Sequence, residues 1–106
     1  MSHLTTHILD ATAGTPATGV TVALTDAAGA AIATGTTDQD GRLALGPDQL
    51  APGDYALRFD TGPYFAAAGT PAFYPSVTVA FTVADSRHYH VPLLLSPFAY
   101  STYRGS

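Results

Sequence analysis

Apolar and polar residues alternate along much of this chain with a period of two. In Ser76–Val83 the residues Val77, Val79, Phe81 and Val83 fall on one face and Ser76, Thr78, Ala80 and Thr82 on the other, the pattern of a half-buried strand. Val20–Thr25 repeats it, with Val20, Val22 and Leu24 against Thr21, Ala23 and Thr25, and so does the run containing Tyr55, Leu57 and Phe59. Near the start, Leu4–Asp10 separates Thr6 and Ile8 from Thr5, His7 and Leu9. Near the end, His88–Leu95 separates a strongly apolar set, Tyr89, Val91, Leu93 and Leu95, from His88, His90, Pro92 and Leu94. A core that takes the apolar set turns His90 outward. Ser96-Pro97 breaks the run, after which Ser101 and Tyr103 share a face in a final strand.

Ten Gly and eight Pro keep these runs short, which favours an all-β sandwich over a helical domain. Asp38-Gln39-Asp40-Gly41 predicts a turn, because Asp offers its side chain to the local backbone and Gly accepts a positive φ. Arg42 then stands where the chain leaves that turn, near a sandwich edge. Thr61-Gly62-Pro63 is expected to close a strand. Tyr64–Ala68 predicts one or two helical turns stopped by Gly69, the one helix in the chain.

Composition narrows the field. The 106 residues suit a single domain, 1–106, with one core burying roughly 60–70% of the unfolded surface. Eight acidic residues, all Asp, against four Arg and no Lys give a formal net charge of -4, which repels nucleic acid and anionic membranes, so neither is expected as a partner. Cysteine is absent, so the fold rests on neither disulfides nor thiolate metal sites. The start, MSHLTTHILDATAG, has no basic segment followed by a long apolar run, and a cytoplasmic location is expected. Only 11% of residues are charged while 46% are hydrophobic, against the about 25–35% surface charge that suits a soluble monomer. Part of the surface is therefore expected to be covered in an oligomer.

If the first and last strands flank the histidine strand in one sheet, His7, His90, Ser101 and Tyr103 decorate a common outer face. Plainer readings exist for each. A histidine on a strand is commonly solvated, an arginine after a turn commonly exposed, and tyrosines are strand formers, with Tyr55 and Tyr89 expected in the core. His7, His88 and His90 also have the makings of a three-histidine zinc site, although no acidic residue stands nearby in sequence to support one. Asp10, Asp26 and Asp85 fall at strand ends and turns, so no carboxylate pair for glycoside hydrolysis emerges. No nucleophilic cysteine and no Gly-rich phosphate loop is present.

Leu4-Thr5-Thr6-His7-Ile8-Leu9-Asp10, Gly14-x-Pro16-Ala17, the Asp40-Gly41-Arg42 turn, the stretch from His88 to Pro97 and the terminal Tyr103-Arg104-Gly105-Ser106 together resemble the transthyretin-related 5-hydroxyisourate hydrolases. The likeness spans essentially the whole chain. The terminal tetrapeptide is its most specific part, since transthyretin, the hormone carrier of the same fold, replaces that ending and both histidines. The resemblance implies a transthyretin-like (prealbumin-like) sandwich of two four-stranded sheets with one short helix. It implies a homotetramer, a dimer of dimers, with active sites at the dimer–dimer interface. The implied reaction is hydrolysis of 5-hydroxyisourate to 2-oxo-4-hydroxy-4-carboxy-5-ureidoimidazoline in urate catabolism, without metal or organic cofactor. The implied catalytic residues are His7, Arg42, His90 and Tyr103, with His7, Arg42, Tyr103 and Ser106 binding substrate. The two histidines would share water activation and proton return, either being the base, while Arg42 anchors the heterocycle. A non-catalytic small-ligand carrier is the alternative, but a carrier gains nothing from two histidines and an arginine in an apolar channel. A structural β-sandwich module, suggested by Thr37–Phe59, has no use for the terminal chemistry.

Overall fold

A computed structural model describes residues 3–106. Two sheets pack face to face. One joins β1 (Leu4–Asp10), β2 (Thr15–Pro16), β5 (Arg42–Leu45), β8 (Tyr89–Ser96) and β9 (Ala99–Thr102). The other runs in the order β4 (Ala31–Thr36), β3 (Thr21–Asp26), β6 (Gly53–Phe59) and β7 (Val77–Val83). The short β2 and β5 both pair with β1, β2 at Leu9 and Asp10 and β5 from Leu4 to His7. The first sheet is thus four strands wide, as expected, with one place shared.

The alternating positions fill the interior. Ile8, Val22, Leu24, Leu57, Phe59 and Leu93 have no exposed surface, and burying each such side chain is worth about 1.5–3 kcal/mol. Tyr89 is 5% exposed, as expected of a core residue, whereas Tyr55 is half-buried against the core and donates its hydroxyl to the Ala51 carbonyl at 2.6 Å.

The helix α1 spans Thr61–Ala67, so Thr61-Gly62-Pro63 opens a helix instead of closing a strand, β6 having ended at Phe59. Proline's fixed φ and missing N–H suit a first helical turn, where that donor has no intrahelical partner. Gly69 does stop the helix, at φ +67, with its N–H on the Ala66 carbonyl at 3.0 Å.

The two long sides of the sandwich differ. At the β4/β5 side Gly35 lies so close to Leu43 that a Cβ would come within 2.9 Å of its side chain, and the sheets meet tightly. At the other side β7 and β9 are free edges beside a cleft of about 280 Å³ lined by Val79, Phe81, Tyr89, Val91, Thr102 and Arg104 among others.

Candidate active site

Three adjacent strands bring the polar residues together. β1 and β8 run parallel with Thr5 opposite His90, and β5 crosses antiparallel with Arg42 opposite His7. The inward parity of Leu4, Thr6 and Ile8 leaves Thr5 and His7 on the outer face, beside His90 of β8 and His88 just before it. A depression of about 290 Å³ opens there, lined in part by Thr5, Asp38, Arg42, Ala44 and His90.

Arg42 is placed by its turn. The Asp38 carboxylate accepts the backbone N–H of Asp40 at 2.9 Å and that of Arg42 at 3.0 Å. Gly41 sits between them at φ +72, in a space where a Cβ would strike the Ile8 carbonyl, and accepts the Ile8 N–H at 2.8 Å. The same turn fixes His7, whose Nε2 lies 2.9 Å from the Asp40 carbonyl oxygen. A carbonyl only accepts, so Nε2 carries the proton and a neutral His7 has its lone pair on Nδ1.

His90 is half-buried, with Nδ1 2.8 Å from the Thr5 hydroxyl. Its pKa is lowered from the ordinary 6.5, chiefly by burial; hydrogen bonding to Thr5 opposes this, and the nearby charges of His88, Arg42 and His7 add to the lowering. The chain's end lies against it. Gly105 donates its N–H to the His90 carbonyl at 2.9 Å, and a Cβ there would run into the His90 ring, so only glycine allows the tail this approach. Arg104 turns the other way, its guanidinium 4.5 Å above the Tyr89 ring centroid.

The structure therefore gathers His7, Arg42 and His90, and brings Tyr103 alongside His90 in the cleft between β7 and β9 rather than into the Arg42 depression. Tyr103 is 58% exposed, and Ser106 is exposed beyond it. Among the described residues no group of three His, Cys, Asp or Glu side chains is gathered to hold a metal ion; one ring nitrogen each of His7, His88 and His90 is engaged, the first with a carbonyl and the other two with one hydroxyl. No described helix is long and apolar enough to cross a membrane. Alternation along the strands places Thr5 with His7 and His88 with His90, but it sets only a side chain's face and not its hydrogen-bond partner, so the Thr5 bridge between His88 and His90 is not readable from the sequence.

The profile of the HIUase/Transthyretin family matches residues 4–105. The chain belongs to this family. A 5-hydroxyisourate hydrolase from Salmonella dublin is 50% identical over 109 residues, covering 97% of this chain and 80% of that protein. The structure of Klebsiella pneumoniae 5-hydroxyisourate hydrolase superposes with a TM-score of 0.90 at 42% identity, over 97% of this chain and 98% of that one. Sea bream transthyretin in complex with thyroxine reaches 0.88 at 37% identity, over 96% of this chain and 93% of that one. The hydrolase and the thyroxine-bound transthyretin thus match this backbone almost equally, and what separates them has to be sought in side chains.

Proposed function

We propose that this chain hydrolyses 5-hydroxyisourate, opening its six-membered ring to 2-oxo-4-hydroxy-4-carboxy-5-ureidoimidazoline, with His7, Arg42, His90 and Tyr103 as catalytic residues and Ser106 helping to bind substrate. The observation that carries this reading is the convergence of two imidazoles and a guanidinium on one outer face, at registers His7↔Arg42 and Thr5↔His90. Water attacking the lactam carbonyl gives a proton to a neutral imidazole, and the histidine pair returns one to the departing ring nitrogen. A positioned base of this kind is worth about 10²–10⁴ in rate. Arg42 holds the heterocycle and offsets the developing oxyanion, where one preorganised donor supplies roughly 3–4 kcal/mol.

The site is completed, in this reading, in a homotetramer built as a dimer of dimers, with the outer face of β5, β1 and β8 at the dimer–dimer interface. Three features support it: the free edges of β7 and β9, the low surface charge, and the exposure of Phe73 and Phe98 at 71% and 68%. The likeness to transthyretin makes a carrier the second reading, which an assay separates at once.

The test is the loss of ultraviolet absorbance of 5-hydroxyisourate freshly made from urate and urate oxidase. The protein is expected to accelerate it with or without EDTA, and His7→Ala and His90→Ala are each expected to cut turnover at least about a hundredfold with assembly intact. Near wild-type turnover by either variant overturns the assignment, and chelator-sensitive activity returns the zinc reading to the front.

A further inference from the structure

Thr5 sets one hydroxyl between two imidazoles, its Oγ1 2.8 Å from Nδ1 of His90 and 2.8 Å from Nε2 of His88. The two rings, one in β8 and one just before it, lie nearly parallel, with centroids 6.2 Å apart and planes 23° apart. A hydroxyl carries a single proton. When one facing nitrogen is protonated and the other bare, it accepts from the first and donates to the second, so the tautomers of the two histidines are linked. With the proton on Nδ1 of His90, the hydroxyl points at a bare Nε2 of His88, and Nε2 of His90 keeps a free lone pair.

We propose that Thr5 and His88 are positioning residues for His90: Thr5 holds it in the tautomer able to act as a base, and His88 stores the positive charge created when His90 takes a proton from water. The proposal rests on the hydrolase reading above. In the forward half, Nε2 of His90 bonds a proton of the attacking water, the Nδ1 proton of His90 passes to Oγ1 of Thr5, and the Thr5 hydroxyl proton passes to Nε2 of His88. His90 is again neutral, and the positive charge rests on His88. In the return half each proton retraces its path while His90 gives its Nε2 proton to the departing ring nitrogen, which restores the starting tautomers. His88 is exposed and His90 half-buried, with His7 on β1 and Arg42 on β5 also bearing on His90. Charge is better held at the solvated end of such a chain.

Two measurements on the full chain decide it. Nitrogen-15 spectra of the imidazoles are expected to find the His90 proton on Nδ1 in the wild type and in Thr5→Ser, but redistributed in Thr5→Val, which keeps the shape and loses the hydroxyl. In turnover, Thr5→Val is expected to lose about tenfold or more in kcat with little change in KM, and Thr5→Ser to recover most of it. His88→Gln can still accept the Thr5 hydroxyl proton through its amide oxygen but cannot become a cation; it is expected to keep the His90 tautomer while lowering kcat. In mixtures of light and heavy water, kcat of the wild type is expected to curve with deuterium content and that of His88→Gln to become linear. A wild-type His90 protonated on Nε2, or wild-type kcat in both Thr5→Val and His88→Gln, overturns the proposal. A wild type inert towards 5-hydroxyisourate overturns the function beneath it instead, and the spectra still decide the tautomer coupling.

Discussion

A histidine whose pKa is pushed down stays neutral over a wider span of pH, and neutral is the form that accepts a proton. For His90, lowered by burial and then by its cationic neighbours against the pull of Thr5, the sign is definite. Base-competent His90 is full above its folded pKa and is lost as pH falls through it, so the acid limb of kcat/KM is expected below pH 6.5. Removing one cation, as in Arg42→Gln, is expected to raise that limb towards the ordinary value while lowering the plateau; a pH–rate profile measures both, and an unmoved limb would break the link between Arg42 and His90. Residues of this kind were legible in the sequence because strand parity fixes a face: His7 and His90 both point outward as their alternation required. Thr5 was not, since threonine is an ordinary strand residue and its partner lies 85 positions away.

Among the elements, the turn from Asp38 to Arg42 matters most to the site. Gly41→Ala places a side chain at φ +72 and against the Ile8 carbonyl, and is expected to destabilise by roughly 1–3 kcal/mol for the conformation alone, with more for the collision and with activity falling as Arg42 shifts. Gly29, at φ +84 with open space around it, provides the comparison: its alanine variant carries the conformational penalty only and should leave turnover intact. Thermal melts and the absorbance assay separate the two. A second tie joins α1 to β1, where the Tyr64 hydroxyl donates to the buried Asp10 carboxylate at 2.7 Å. Burial first, then the bond and charge of Asp10, push Tyr64 up to about 12. A raised pKa stabilises below the unfolded value of 10.0 and loses that contribution as pH climbs towards 12. Tyr64→Phe is therefore expected to lower stability by about 1–3 kcal/mol at neutral pH, with the gap to wild type narrowing above pH 10 in melts taken across that range. Sequence patterning found β1, β7 and β8 because their inward residues are large. It did not mark β4, where Ala31–Thr36 offers mostly small side chains, and it read the opening of α1 as a stop because Gly and Pro serve both ends of elements.

The whole molecule is sealed on one side and open on the other. Its free edges β7 and β9 flank the cleft shared by the tail and His90, while Phe73 and Phe98 stand exposed at the far end of β8, by the turn between Ser96 and Ala99; the composition pointed to assembly, although no alternation pattern could specify the partner's geometry. Phe73→Asp and Phe98→Asp change side chains already 71% and 68% exposed, so each should leave single-chain stability within about 0.5 kcal/mol. Analytical ultracentrifugation is expected to find smaller species and the assay lower turnover; a fully active monomer would refute the need for copies around the site. The pairing of β1 with β8 reaches further still. On the ribosome, β1 finds β2 and β5 soon after it emerges, but its other flank stays bare until β8, whose Tyr89 pairs with Leu4, has been made. Contacts that span so much chain form late and leave nascent intermediates prone to clump, so interrupted synthesis leaves no half-working enzyme, only an unclosed sheet.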